Sequence, residues 1–356
     1  MKQLIQWIVI PIIIGILCLF VSNQLSQTES VDGKVLYVYN WGEYIDPELI
    51  DQFEEEYGYK VILETFDSNE AMLAKVKNGG THYDVAVPSE YMVEMMKEED
   101  LLIPIDYKQI PNIKHIEDEF LDLSFDRNNK YSVPYFWGTV GILYHPERTK
   151  GIDFSSWESL YDERLKNEVL LVDGPRESLG FALNLNGYSL NSKEDQQLEK
   201  AYDSLLHLTP NIRGIVGDEI NTMMTQNEAK VAVVWSGMAR DIMWENEALD
   251  YIVPEEGSNL WFDNFVIPKT AQNTKGAHEF INFLLDPEIS AQNTEWVGYA
   301  TPNEAAKALL DEEVSEDERF YPSDQMKEKL EVYENLGEAY TNKYSELYLK
   351  FKMNLN

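Results

Sequence analysis

Between residues 34 and 303 the chain alternates short apolar runs with amphipathic stretches, and glycine, proline and capping residues mark the changes. Val35, Leu36, Tyr37, Val38 and Tyr39 predict a first strand buried on both faces, broken at Asn40-Trp41-Gly42. Asp46-Pro47-Glu48 supplies an N-cap, a proline for the first helical position and an acid for the first turn. The helix it opens is expected to pass through Leu49, Ile50 and Phe53 and to stop at Gly58. The pattern repeats with a strand over 60–66, a helix from Asp67-Ser68-Asn69-Glu70 to Gly79-Gly80, a strand over 83–87 and a helix after Pro88-Ser89. Strands alternating with helices at this spacing are βαβ units, which build parallel sheets. Met92, Met95 and Met96 stand at helical spacing and read as core rather than as a set of sulfur ligands.

The stretch 101–130 is irregular, acidic and rich in turn residues. Residues 131–141 then form an extended apolar segment with Pro134 and Gly138 inside it, leading into a strand over 142–144. That composition fits a crossover between two lobes, bending while it stays packed. A second alternating set follows: a helix from Ser156-Trp157-Glu158, a strand over 168–172 with a helix starting within 173–177, and helices over 193–208 and 218–226. A strand over 230–235, an extended run over 260–268 and helices over 275–285 and 287–297 complete it, and from Glu304 onward the acidic composition predicts helix.

A chain of 356 residues suggests two domains, and 44% hydrophobic residues are enough to bury real cores. The formal net charge of -34 excludes a phosphate-backbone partner, because nucleic-acid binding needs Lys/Arg patches. Such a field concentrates small cations, although an acidic surface is also an ordinary soluble one. Lys2 precedes an uncharged stretch whose apolar core, 7–21, has the length of a signal-peptide core and falls short of the ~20 residues of a spanning helix. Residues 1–30 therefore read as an export signal or membrane anchor with a tether. Cleavage, retention and lipidation at Cys18 all stay open, Leu17 being bulky where lipoprotein processing wants a small residue. Cys18 is the sole cysteine, so the folded part carries no disulfide.

The candidate chemistry recurs at the strand ends: Trp41, Glu43 and Tyr44; Ser89 and Tyr91; Asp173 and Glu177; Trp235; Trp261 and Asp263; Tyr299. Trp41 on its own fits equally a tryptophan packed under a capping loop. If the ends share one cleft, aromatic plates and carboxylates surround the ligand, with Arg176 the one nearby cation. Carboxylates bind ammonium groups and aromatic faces cover methylenes, an alternation that a linear polyamine matches. A sugar would also use the aromatic plates and a ferric ion would use tyrosines, so both remain alternatives on the same fold. Catalysis has little support: none of the H-E-x-x-H, G-x-x-x-x-G-K, G-x-G-x-x-G or G-x-S-x-G motifs occurs, and His82, His115, His145, His207 and His278 do not cluster. The reading is a binding protein with no catalytic residues, cofactor or metal.

The segments YNWGEYIDPELIDQFEEEYG, YDVAVPSEYMV, YSVPYFWGTVGI, VVWSG, WFDNFVIP, INFLLDPE and GYATPN, in this order, closely resemble spermidine/putrescine-binding proteins, the extracytoplasmic receptors of bacterial ABC polyamine importers. The resemblance implies a type II periplasmic-binding-protein fold of two α/β lobes, each a mixed, mainly parallel sheet flanked by helices, with ligand in the cleft between them. It places lobe 1 at 31–139 plus about 262–307 and lobe 2 at about 140–261 plus 308–356. It also implies a monomer that hands ligand to an ABC permease. The family's ligand motifs fall on Trp41, Glu43 and Tyr44, on Ser89 and Tyr91, and on Glu177, Trp235, Trp261, Asp263 and Tyr299. Two positions depart from the family pattern: Gly174 replaces the second of two acids, leaving Asp173, and Tyr333 stands where a glutamine is expected near the C-terminal helix.

Overall fold

The structure is a computed structural model that describes residues 34–355, so the expectations placed on residues 1–30 lie outside the described residues. The strands are β1 (Val35–Trp41), β2 (Lys60–Phe66), β3 (Val85–Ala86), β4 (Ser132–Tyr144), β5 (Val169–Val172), β6 (Ile212–Val216), β7 (Val231–Trp235), β8 (Asp250–Ile252) and β9 (Leu260–Val266). The helices are α1 (Pro47–Tyr57), α2 (Asn69–Asn78), α3 (Glu90–Glu98), α4 (Pro175–Leu185), α5 (Asp195–Leu208), α6 (Glu219–Thr225) and α7 (Ser236–Glu245). After β9 come α8 (Thr274–Leu284), α9 (Pro287–Val297), α10 (Glu304–Lys307), α11 (Glu312–Ser315), α12 (Asp324–Lys327) and α13 (Glu338–Met353).

The strands join along one hydrogen-bonded path in the order β2-β1-β3-β9-β4-β7-β5-β6, with β8 added on β4. The flanks are parallel, as the βαβ pattern requires: β1 pairs with β2 and β3, and β5 with β6 and β7. The middle is antiparallel. β4 pairs with β9 along Ser132–Thr139 and then with β7 and β8 along Val140–Tyr144, so this one strand belongs to both halves. Pro134 has no N–H to give the ladder, and the β4/β9 register shifts between Pro134 and Phe136. Tyr135, Phe136 and Phe265 lock the crossing, with Tyr135 ring centroids 4.2 Å from each of the other two.

The caps behave as the sequence demands. Asp46 accepts the Glu48 N–H, Pro47 occupies the first turn of α1, and Gly58 ends it with a left-handed φ of 71°. Ser68 caps α2 through the Ala71 N–H. Met92 and Met96 are fully buried, in agreement with a core role.

Several boundaries need correction. The third strand shrinks to two residues because Asp84 is spent on the Tyr37, Gln272 and Asn273 N–H groups. The turn after Ser156 is a short 3-10 helix, Trp157–Tyr161. β6, a half-exposed strand containing Arg213 and Gly214, and β8, three residues long, carry too little apolar signal to be read from sequence. The acidic C-terminal region is not helical throughout. Residues 328–337 are irregular apart from one bridge, and Glu331 exchanges backbone bonds with Ser258 and Leu260. Helical propensity amounts to tenths of a kcal/mol per residue and yields to such ladder bonds. Finally, Trp261 and Asp263 are not at a strand end: they lie within β9 and point from the crossing itself.

Candidate functional site

Asp263 is the centre. It is 5% exposed, and two hydroxyls grip its carboxylate: Tyr44 Oη donates to Oδ2 at 2.7 Å and Ser89 Oγ donates to Oδ1 at 2.7 Å. Burial pushes the carboxyl up to about 6, while the bonds from Tyr44 and Ser89 and the nearby Trp41 indole hold it lower than burial alone would. The Trp41 Nε1–H is close enough to feel this charge, yet completes no hydrogen bond to a protein atom. No Lys, Arg or His among the described residues forms an ion pair with Asp263.

Local folding explains why these groups meet. Ser89 follows β3, and as the N-cap of α3 it forms an isolated bridge with Asp263 of β9. Asn69, the first residue of α2, steadies it. Its Oδ1 accepts the Ser89 N–H at 3.1 Å, and its Nδ2 donates to Ser89 Oγ at 3.0 Å and to Tyr91 Oη at 3.1 Å. Tyr44 is fixed from behind, where its carbonyl accepts the Tyr135 hydroxyl at 2.6 Å.

Aromatic faces line the same place. Tyr299 lies 5.5 Å from Tyr44 and 5.0 Å, edge to face, from Trp261. Trp41 packs on Phe66 at 4.4 Å. Two glycines make room: a Cβ at Gly138 would come within 2.6 Å of both the Trp261 ring and Ser236 Oγ, and one at Gly237 would collide with the Tyr299 ring. Trp261 Nε1 is buried without a protein acceptor. Trp235 ends β7 and stands at the N-cap of α7, immediately before Ser236 and Gly237.

A second group of residues surrounds the start of α4. Glu177 folds back over Gly174, where any Cβ would collide with its carboxylate. Burial raises its pKa, against its own backbone N–H and Arg176; Glu70 and Asp173 add to the rise. The departure at Gly174 is therefore filled by Glu177 itself. Arg176 does not pair with its neighbouring acids. Its guanidinium lies 4.1 Å from the Tyr333 ring and 5.9 Å from Tyr91, and it donates to Asn191 Oδ1 at 2.7 Å and to the Glu334 carbonyl at 3.3 Å. Tyr333 is 4% exposed and meets Tyr91 edge to face at 6.4 Å, from the irregular segment ahead of α13 rather than from a helix.

Two sequence candidates are held elsewhere. Asp173 accepts from Tyr348 Oη at 2.5 Å and forms an ion pair with Lys352 at 2.8 Å, both on α13. Burial opposes ionisation, but these partners outweigh it and keep its pKa low. Glu43 is exposed in a turn with φ 50°, its charge felt by Asp241. One residue escaped the sequence reading altogether. Glu90, between Ser89 and Tyr91, is fully buried and accepts the Phe262 N–H at 2.8 Å. A helix-opening acid looks like an ordinary first-turn residue, so its only signal was its place inside the motif.

Comparison with known proteins gives the family and the fold. Residues 48–322 match the family model described as bacterial extracellular solute-binding protein. The chain is 38% identical over 329 residues to the spermidine/putrescine-binding periplasmic protein of Salmonella typhimurium, covering 92% of this chain and 94% of that protein. It is 33% identical over 326 residues to a putrescine-binding periplasmic protein of Escherichia coli, covering 85% and 87%. Among solved structures, a putative spermidine/putrescine ABC transporter protein of Listeria monocytogenes aligns with TM-score 0.87 at 55% identity, covering 90% of this chain and 99% of that one. The spermidine/putrescine ABC transporter substrate-binding protein of Streptococcus pneumoniae aligns with TM-score 0.82 at 54% identity, covering 91% and 100%. The chain has the two-lobed periplasmic-binding-protein fold and belongs to the bacterial extracellular solute-binding proteins, in the group of the spermidine/putrescine-binding periplasmic proteins.

Proposed function

We propose that this protein captures a polyamine, spermidine or putrescine, outside the cytoplasmic membrane and delivers it to an ABC transporter permease, without catalysing a reaction. The observation that carries the reading is Asp263, a buried carboxylate gripped by two hydroxyls with no Lys, Arg or His in an ion pair with it among the described residues. Glu177 and Glu90 add two more enclosed carboxyls, while Arg176 is engaged by Tyr333 and Asn191. Such a set is short of positive charge, and a polyammonium chain supplies it.

In this reading Asp263 and Glu177 bond ammonium groups, while Trp41, Trp261, Tyr299, Tyr44 and Tyr91 cover the methylenes between them. Ser89 holds Asp263, Trp235 closes the Tyr299 side, and Asp173 and Glu43 act through the field rather than by contact. The halves of the sheet serve as the two lobes, 31–139 plus about 262–307 and about 140–261 plus 308–356, with β4 and β9 as the connecting strands. Ligand that binds the closed arrangement better shifts the population toward it. The protein works as a monomer, with residues 1–30 its only membrane tie. The names of the relatives favour a polyamine over a sugar or a ferric ion.

Calorimetry with spermidine, putrescine, maltose and ferric citrate tests the assignment. One-to-one binding of a polyamine, and of neither other compound, is expected. Folded protein silent to both polyamines would refute it.

A further inference from the structure

Glu90 opens α3, yet it faces inward and is 0% exposed. Its Oε2 accepts the N–H of Phe262, the residue between Trp261 and Asp263. Its Oε1 is buried and has no hydrogen-bond partner among the described residues. The charged and titratable groups facing it are Asp263 on β9, Arg176 on α4 and Tyr333 on the irregular segment before α13. Burial drives its carboxyl up to about 8. The Phe262 N–H, its own N–H and Arg176 oppose that rise, and Asp263 adds to it.

A buried carboxyl with one unpaired oxygen is relieved in two ways: it keeps its proton, or it acquires a positive neighbour. Arg176 supplies that neighbour only in part: its two terminal nitrogens donate to Asn191 and the Glu334 carbonyl, its face lies on Tyr333, and it forms no ion pair with Glu90, its Nε being buried without a hydrogen-bond partner among the described residues. We propose that Glu90 is a third carboxyl of the ligand site, beside Asp263 and Glu177, which holds the Trp261–Asp263 backbone in place and releases its proton to solvent when a polyammonium ligand settles beside Asp263. The inference rests on the polyamine reading above. The carboxyl O–H bond breaks, the proton goes to the buffer, and the ammonium charge offsets the carboxylate left behind. Glu90 is thus a positioning residue that also ties ligand affinity to pH.

The test is calorimetry of putrescine binding at pH 7.5 in two buffers of different ionisation enthalpy, comparing wild type with Glu90→Gln. The amide keeps an acceptor for the Phe262 N–H, and the comparison cancels any proton exchanged by the ligand itself. Per ligand bound, wild type is expected to release about half a proton or more in excess of Glu90→Gln, and its affinity to rise roughly three- to tenfold more between pH 6.5 and 8.5. Equal proton release and parallel pH profiles would overturn the inference while leaving polyamine binding intact. Absence of polyamine binding would overturn both. Should Glu90→Gln fail to fold, isotope-edited infrared on wild type decides: the protonated carboxyl band of Glu90 is expected at pH 7.5 without ligand and lost with it, and its persistence refutes proton release.

Discussion

Replacing Asp263 by asparagine should move stability and binding in opposite directions. In the protein without ligand, burial raises this carboxyl from 3.8 to about 6. The sign follows from linkage: the folded state holds the proton more tightly than the unfolded chain, so stability is highest below the unfolded pKa. It falls as pH rises through the interval to 6 and is flat above. A shift of about two units corresponds to about 3 kcal/mol of lost stability at neutral pH. Asparagine removes that cost but accepts less well from the Tyr44 and Ser89 hydroxyls, so the net gain is set at about 1–3 kcal/mol. Binding goes the other way, because the ligand ammonium loses its buried partner. Breaking such a pair costs about 3–5 kcal/mol, two to nearly four powers of ten in Kd. Urea unfolding at pH 7.5 without ligand reads the first effect and calorimetry with spermidine and putrescine reads the second. An Asp263→Asn protein that binds like wild type, or one that is both weaker in binding and less stable without ligand, would refute the argument that Asp263 is a charge kept for the ligand.

Four further outcomes follow from the same geometry. Gly174→Ala puts a methyl group where the Glu177 carboxylate lies, and since φ there is -166° no backbone strain contributes; polyamine affinity should fall about tenfold with the helix cap costing under about 1 kcal/mol, by calorimetry and urea unfolding. Asp173→Asn should change stability by no more than about 1 kcal/mol and affinity only slightly, because this half-exposed acid is already paired with Lys352. Trp261→Phe removes a buried N–H that has no acceptor and keeps a ring against Tyr299, so unliganded stability should stay within about 1 kcal/mol of wild type while ligand affinity falls. Acidification through the Asp263 value of about 6 should weaken polyamine binding by up to about tenfold per pH unit, read as Kd at pH 6 and 5.

Where the fold and the candidate site depended on local chemistry, the residues were legible in the sequence. Asp46-Pro47 and Gly58 bound α1 as their capping rules dictate, and the Ser89/Tyr91 and Trp261/Asp263 pairs were singled out by residue type. What escaped depended on pairing across long separations. The antiparallel middle of the sheet requires β9 to return between β3 and β4, and no local period records which strands become neighbours. Asp173 looked like a ligand group because α13, some 175 residues later, was needed to supply Tyr348 and Lys352. Arg176 stood only as the one cation near the strand ends until the fold brought Tyr333 onto its guanidinium face. Glu90 was marked only by its place between Ser89 and Tyr91: burial, not residue type, makes it unusual.

These misses share a physical cause that bears on how the site works. Asp263 sits in the strand that crosses between the halves, and its two hydrogen-bond donors, Tyr44 and Ser89, both belong to the half that begins the chain. The other half meets it directly: Gly237 receives the Tyr299 ring, Arg240 donates to the Gly298 carbonyl at 3.3 Å, and the Asn335 N–H donates to Glu94 at 2.9 Å. The hold on Asp263 is thus complete on one side, while Glu177 and the seat of Tyr299 come from the other. That division suits a trap in which capture comes first and enclosure second. An ammonium group can reach Asp263 while the halves are apart, and the stacking of Tyr299 on Gly237 then removes water and strengthens the pair in a lower dielectric. The two steps separate experimentally, because Gly237→Ala blocks the seat of Tyr299 without touching Asp263. It should spare the association rate and raise the dissociation rate, and a selective loss of association would show that enclosure precedes capture.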